Sequence, residues 1–156
     1  MKILVVNGPN LNLLGTREPE IYGSMTLRQV EQGLRREFRA VRFLFFQSNH
    51  EGAVIDRLQK SLGEKVDGIV LNPGALTHYS YAVRDAVAMI KVPVVEVHIS
   101  DIHAREEFRR HSVIADVCQA QVSGLGTRGY AVAVEMIREH LKTSGKIQQG
   151  KKKKSK

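Results

Sequence analysis

The sequence of 156 residues has few of the features that mark secreted, membrane-spanning or disordered chains. It contains one cysteine, Cys118, so no disulfide can form within the chain, and we expect a reducing compartment, the cytoplasm. Its longest apolar runs cover four to six residues, whereas a membrane-spanning helix needs about 20. The first of these runs, residues 3–6, is too short for a signal-peptide core. Glycine and proline supply only 17 of the 156 residues, and 42% are hydrophobic, which predicts an ordinary globular protein without a membrane partner.

The excess of positive charge belongs to the carboxyl end of the chain. The formal net charge is +8, yet six lysines lie within residues 146–156, which contain no acidic residue. Residues 1–145 hold 18 Lys and Arg against 16 Asp and Glu. We therefore predict one domain over residues 1–143 and a basic, disordered tail over residues 144–156.

Strand-like and helix-like segments alternate along the domain. Five apolar runs predict strands at residues 3–6, 41–46, 68–71, 93–97 and 117–122. Between and after them, four segments have helical periodicity: one after a capping box at Thr26, one after a second box at Ser48, and two at residues 77–90 and 126–142. This alternation predicts an α/β three-layer sandwich with a flavodoxin-like, five-stranded parallel sheet of order 2-1-3-4-5.

In such a sheet, ligands bind beyond the carboxyl ends of strands 1, 3 and 4. The segments that follow these strands, residues 7–12, 72–78 and 98–103, hold much of the asparagine and histidine of the chain. An 18-residue segment, 7–24, follows strand 1 and is longer than the usual connection of about 2–6 residues. With Arg17 and Tyr22 between glycines, it is typical of a lid that closes over a substrate.

Other ligand classes that this fold serves fit the residues poorly. Asn72 ends strand 3, where a phosphoacceptor domain needs a carboxylate, and Pro9 and Leu11 do not suit a flavin phosphate loop. Residues 124–129 match G-x-G-x-x-G, but they follow the last strand, so we interpret them as a tight strand-to-helix turn. His98 and the later histidines lack the spacing of paired metal ligands. We expect no cofactor and no metal.

The separated motifs together resemble the type II 3-dehydroquinate dehydratases. The resemblance runs from residue 1 to about 142 and is carried by residues 7–15, 17–19, 22–23, 47–49, 72–75, 77–78, 84–85, 96–100, 103–112 and 124–130. It implies a flavodoxin-like, metal-free lyase that converts 3-dehydroquinate to 3-dehydroshikimate, a step of aromatic amino-acid biosynthesis that quinate breakdown also uses. It also implies a homo-oligomer, a dodecamer built from trimers.

The resemblance implies the catalytic roles. Tyr22 is expected to be the base, with Arg17 stabilising its phenolate, and His98 the general acid. Glu96 lies two residues before His98 on the same side of a strand and is expected to fix the imidazole tautomer. Asn10 is expected to stabilise the enolate oxygen through water. Seven residues are expected to bind substrate: Asn72, Gly74, His78, Asp85, Ile99, Ser100 and Arg109.

Of these, Asp85 is expected to reach the site of a neighbouring subunit. We also expect it to share one face of the third helix with His78, seven residues away. No lysine lies in the three site segments, so an imine mechanism is not expected.

Two other functions stay open at this point. The chain could be a ligand-binding module on an inactive enzyme scaffold, although Tyr22, Arg17 and His98 are all present. The lysine-rich tail could bind nucleic acid through charge alone, but the nearly neutral domain has no aromatic RNA-binding pattern. We therefore expect no specific nucleic-acid partner.

Overall fold

A computed structural model describes residues 1–16 and 24–153, with side chains for residues 1–16 and 24–145. Five strands form one parallel sheet: β1 (Lys2–Asn7), β2 (Arg42–Gln47), β3 (Gly68–Asn72), β4 (Val94–His98) and β5 (Ala120–Ser123). Their order is β2-β1-β3-β4-β5, which confirms the predicted topology. All carboxyl ends of the strands therefore meet at one edge of the sheet.

Within the described residues, four α-helices pack around this sheet: α1 (Leu27–Glu37), α2 (Glu51–Ser61), α3 (Tyr81–Ala88) and α4 (Arg128–Lys153). The same part of the chain contains five short 3₁₀ turns: Leu11–Leu13, Gly74–His78, Ile102–Ala104, Glu107–Arg109 and Ala115–Val117. None of the described helices is long and apolar enough to cross a membrane.

Side chains alternate between the two faces of the sheet, and each face has its own core. On β1, Ile3 and Val5 belong to a cluster formed with α1 and α4, whereas Leu4 and Val6 belong to the cluster formed with α2 and α3. This is the two-residue period of a strand. Because both faces are covered by helices, β1 and β3 are buried along almost their whole length, which explains their continuous apolar runs.

Of the local sequence signals that predict where helices begin, one capping box and the glycine turn are present, and the second capping box is not. Thr26 and Gln29 form the predicted capping box, with Thr26 Oγ1 accepting from the Gln29 amide. The box predicted at Ser48 is wrong, because Ser48 Oγ accepts from the His50 amide and α2 begins at Glu51 without a side-chain cap. The predicted glycine turn before α4 is present, with Gly124 and Gly126 both at positive φ.

Three element boundaries need correction. The helix predicted at residues 77–90 begins only at Tyr81, because Ser80 caps it and accepts from the Val83 amide. The strand predicted from residue 117 begins at Ala120, since residues 115–117 form a 3₁₀ turn. The last helix, predicted to end at Lys142, continues to Lys153. Lysine and glutamine favour helix, and extending an existing helix requires no new nucleation.

Candidate active site

A cavity of about 140 Å³ opens at the carboxyl edge of the sheet, between the loops that follow β1, β3 and β4. This is the edge that the topology predicts for a ligand site. Eight of the residues proposed from the sequence line it: Asn10, Asn72, Gly74, His78, His98, Ile99, Ser100 and Arg109.

Two of the proposed residues that the structure describes, Glu96 and Asp85, do not line this cavity. Glu96 is completely buried directly behind His98. Asp85 lies on α3 with its side chain 76% exposed, 3.7 Å from Arg84. It shares no helical face with His78, because His78 belongs to the 3₁₀ turn Gly74–His78 before α3; that expectation was wrong. Tyr22 and Arg17 lie outside the described residues.

Two glycines allow the loops after β1 and β3 to touch. The Gly8 amide donates to the carbonyl of Asn72 at 2.8 Å, and a Cβ on Gly8 would lie 2.3 Å from the Pro73 carbonyl oxygen. Gly74 has a φ of +57°, and its Cβ would lie 3.0 Å from the Pro9 oxygen. The floor of the cavity therefore depends on direct backbone contact at both positions.

We expect Gly8→Ala to lower the free energy of unfolding by about 1–3 kcal/mol, because backbone atoms must shift to admit the methyl group. Urea unfolding followed by circular dichroism measures this. The control is Gly33→Ala in α1, where an added Cβ meets nothing within 4 Å; we expect this change to stabilise the protein by about 0.5–1 kcal/mol. Equal stability of Gly8→Ala and the unmodified protein would contradict the contact.

Asn10 reaches the cavity through an unusual backbone conformation. Its φ is 68°, in the left-handed region, which asparagine tolerates better than most residues. Asn49, from the loop after β2, fixes this conformation, because its Oδ1 accepts from the Asn10 amide at 2.9 Å. Gln47 in turn donates to Asn49 Oδ1 at 3.1 Å. The loop after β2 thus helps to position Asn10.

Asn72 is held by a buried polar network. Its Nδ2 donates to the Tyr130 hydroxyl at 2.9 Å, and its Oδ1 accepts from the Gly74 amide at 3.2 Å. The Tyr130 hydroxyl donates to Asn7 Oδ1 at 2.6 Å. Because these bonds fix the orientation of the Asn72 amide, one Nδ2 hydrogen remains for a ligand in the cavity.

His98 and Glu96 form a buried pair at the end of β4. His98 Nε2 lies 2.8 Å from Glu96 Oε1, and the two side chains are 6% and 0% exposed. Burial acts to raise the pKa of Glu96, but the hydrogen bond and charge of His98, with further hydrogen bonds from Thr77 and Gln121, lower the pKa below its usual value. Glu96 is therefore a carboxylate, its partner His98 Nε2 carries the proton, and Nδ1 is the nitrogen left for chemistry.

His78 provides a second imidazole with a different environment. Its Nδ1 lies 2.8 Å from the carbonyl oxygen of His111, so Nδ1 carries the proton that is donated there. Burial lowers the pKa of His78, and the nearby charges of His98 and Arg109 act in the same direction. His78 is thus neutral at pH 7, with the Nε2 lone pair available as an acceptor.

Two arginines give the cavity a positive field. Arg105 and Arg109 both line it, and Glu106 Oε2 lies 3.4 Å and 3.1 Å from their Nε atoms. Arg105 NH1 also donates to Ser100 Oγ at 3.3 Å. No carboxylate lines the described part of the cavity, so this field favours an anionic ligand.

Arg105 was not proposed from the sequence, although it lies within the motif at residues 103–112. A further signal for it was available, since it precedes Arg109 by four residues in the segment that follows β4. Within residues 1–16 and 24–153, no group of three or more His, Cys, Asp or Glu side chains is arranged to hold a metal ion.

Comparison with known proteins shows the family of this chain. The sequence model of the family described as "Dehydroquinase class II" matches residues 1–138. This chain belongs to the class II dehydroquinase family. The resemblance inferred from the sequence is confirmed, and the chain is an enzyme of that family.

Two relatives are identical to this chain at more than half of the aligned positions. The 3-dehydroquinate dehydratase of Caldicellulosiruptor saccharolyticus is 53% identical over 142 residues, which cover 90% of this chain and 98% of that protein. The enzyme of the same name from Thermotoga neapolitana is 55% identical over 150 residues, covering 94% and 100%.

Solved structures agree with the fold. The type II dehydroquinase from Butyrivibrio crossotus has a TM-score of 0.86 and 48% identity, covering 88% of this chain and 97% of its own. The type II dehydroquinase from Propionibacterium acnes has a TM-score of 0.83 and 38% identity, covering 87% and 94%. The flavodoxin-like prediction is confirmed by these neighbours and by the strand order.

Proposed function

We propose that this dehydroquinase removes water from 3-dehydroquinate by anti elimination through an enolate, to give 3-dehydroshikimate in the shikimate pathway. The single observation that carries the mechanism is the buried Glu96–His98 pair on the wall of a cavity lined by amides and cations. Dehydration of a β-hydroxy ketone needs an acid for the leaving hydroxyl, a base for the α proton and stabilisation of the enolate.

His98 is the acid in this proposal. Glu96 accepts a hydrogen bond from Nε2, so the carboxylate stabilises the imidazolium and holds its ring in one orientation. Nδ1 then delivers a proton to the departing hydroxyl and returns the imidazole to its neutral form. Because the pair is almost fully buried, its charges are poorly screened by water.

The substrate carboxylate would bind at the loop after β4. The carbonyls of His98 and Ile99 accept from the Gly124 and Gly126 amides at 3.3 Å and 3.0 Å. The N–H and C=O of a trans peptide point in opposite directions. The amides of Ile99 and Ser100 therefore point away from the glycine turn, and both residues line the cavity. Arg105 and Arg109 add charge attraction for the same group.

The ring hydroxyls of the substrate would bind to Asn72 and His78, beside Gly74. Asn72 keeps one amide hydrogen for this purpose, and His78 offers the Nε2 lone pair. Asn10 would hold the water that stabilises the enolate oxygen. It lines the cavity in a conformation fixed by Asn49.

Tyr22 is the proposed base. A free phenol has a pKa of about 10, so forming the phenolate at pH 7 costs about 4 kcal/mol. Arg17 is the proposed cation that lowers this cost, supported by the field of Arg105 and Arg109 in the described part of the cavity. Among the described residues that line the cavity, only His78 and His98 could act as the base in place of Tyr22.

The proposal extends to assembly and location. By family resemblance, the enzyme would be a cytoplasmic dodecamer of trimers, in which Asp85 reaches the site of a neighbouring subunit. The exposure of Asp85, outside the cavity of its own chain, is consistent with that role.

Ultraviolet absorbance tests the activity, because the product is a conjugated enone acid. We expect turnover of 3-dehydroquinate by chelator-treated protein, and we expect it to survive borohydride with substrate. No lysine lines the described part of the cavity, so no imine should be trapped. Absence of turnover in a folded protein that binds 3-dehydroquinate would identify a ligand-binding scaffold instead.

A further inference from the structure

The carboxylate of Glu96 has more hydrogen-bond donors than the pairing with His98 requires. Thr77 Oγ1 donates to Glu96 Oε1, and Gln121 Nε2 donates to Oε2 at 2.8 Å. Ser112 Oγ lies 3.0 Å and 3.1 Å from the two oxygens. With His98, four side chains surround one fully buried carboxylate.

These donors come from three different parts of the fold. Thr77 belongs to the 3₁₀ turn Gly74–His78, Ser112 to the loop before the turn Ala115–Val117, and Gln121 to β5. Gln121 is the residue paired with Glu96 in the β4–β5 register, so the two side chains project from the same face of the sheet.

Ser112 is oriented as a donor by its other contacts. Its Oγ accepts from the amides of Ile114 and Ala115 at 3.1 Å and 3.0 Å. Both of its acceptor positions are therefore in use, and its one proton points toward the oxygens of Glu96 and toward Thr77 Oγ1, which lies 2.8 Å away. The hydroxyl of Ser112 therefore acts as a hydrogen-bond donor beside Glu96 and helps to stabilise the negative charge of the carboxylate.

We propose that Gln121, Ser112 and Thr77 are positioning residues that keep Glu96 ionised, so that the proton between the pair stays on His98 Nε2 and the imidazole can carry a second proton on Nδ1 for the leaving hydroxyl. The proposal rests on the proposed function. It assigns these three residues no contact with substrate, since none of them lines the cavity. A buried carboxylate that is not solvated by water needs such donors, because each hydrogen bond offsets part of the free-energy cost of desolvation.

The electrostatic surroundings of Glu96 agree with an ionised state. Among the described residues, the titratable groups that interact with Glu96 include His98 on β4, His78 in the turn after β3 and Cys118 just before β5. Burial, with the negative charges of Glu96 and Asp116, raises the pKa of the Cys118 thiol to about 12. His98 is the only hydrogen-bonded titratable partner of Glu96 that the described residues provide.

Gln121→Met tests the proposal, because methionine keeps the length of the side chain but cannot donate. Loss of a donor to the anion raises the pKa of Glu96. The carboxylate then takes up a proton at higher pH, and the acid limb of the kcat–pH profile should move upward by about 1–2 units. A purely structural role would lower kcat equally at all pH values.

Gln119→Met is the matched control, since Gln119 is exposed and lies two residues earlier on the same chain segment. It should leave the profile unchanged. Gln121→Glu places a second carboxyl group against Glu96 and should move the acid limb further upward, because two facing carboxylates cannot easily both ionise. Thr77→Val, compared with Thr77→Ser, repeats the test, with the hydroxyl of serine expected to restore the profile.

Titration of the His98 ring by ¹⁵N NMR separates the two hypotheses. In Gln121→Met, the apparent pKa values of the Glu96–His98 pair should rise relative to the unmodified protein. An active wild-type protein with an unchanged acid limb and unchanged NMR titration in folded Gln121→Met and Gln121→Glu overturns the positioning role alone. An inactive wild-type protein overturns the proposed function, whereas the NMR comparison still decides whether the donors hold Glu96 ionised.

Discussion

Replacement of His98 by asparagine is expected to lower kcat by about 10²- to 10⁴-fold, the usual contribution of a general acid. The asparagine amide can still donate to Glu96, so the buried carboxylate keeps a partner and the fold should persist. What is lost is the titratable Nδ1 that protonates the leaving hydroxyl. KM should change much less than kcat, because the other lining residues still bind substrate.

Steady-state kinetics with 3-dehydroquinate, with circular dichroism for folding, measure this effect. His140→Asn is a suitable control, because His140 lies on α4 and does not line the cavity. If His98→Asn raised KM but left kcat within a factor of about ten, His98 would be a binding residue only.

Tyr22→Phe is expected to have an effect of the same size, because it removes the proposed base while leaving the aromatic ring in place. Because the proposed reaction passes through an enolate, the role of Tyr22 as the base can be measured separately from the role of His98 as the acid. Abstraction of the α proton can occur without loss of water, so the two variants should differ in exchange of that proton with solvent.

Exchange in D₂O, followed by proton NMR of the substrate, is the measurement. The unmodified protein and His98→Asn should exchange the α proton, and Tyr22→Phe should not. Tyr81→Phe is the control, since Tyr81 is 67% exposed at the start of α3. If exchange persisted in Tyr22→Phe but disappeared in His78→Gln, the neutral imidazole of His78 would be the base.

The sequence predicted the strands well because burial on both faces leaves an unmistakable pattern. The continuous apolar runs of β1 and β3 occur where side chains must enter two cores at once. The ends of the helices were harder to predict from the sequence. At α3, Thr77 and Ser80 both had the chemistry of a cap, but Thr77 is committed to Glu96, so Ser80 became the N-cap.

The site was predictable in its location and in many of its residues. Parallel strands bring their carboxyl ends to one edge, so the asparagines and histidines that follow β1, β3 and β4 had to converge. The pairing of Glu96 with His98 was also readable, because residues two apart on a strand face the same side.

The support of Glu96 came from the tertiary structure alone. Thr77, Ser112 and Gln121 lie 19, 16 and 25 residues away from Glu96 along the chain. Thr77 and Ser112 lie within motifs of the family resemblance, but nothing in the local sequence connects them or Gln121 with Glu96. Only the β4–β5 register and the folding of two loops over the end of β4 bring their donors to one carboxylate.

By itself, then, the sequence determined the strand order, the edge of the sheet that holds the site and the family of the chain. These depend on side-chain periodicity and on residues close together in the sequence. The contact of Gly8 with Pro73, the conformation of Asn10 and the donors around Glu96 were decided by the tertiary structure. They depend on distances between segments far apart in the chain, which become fixed only when the two cores pack against the sheet.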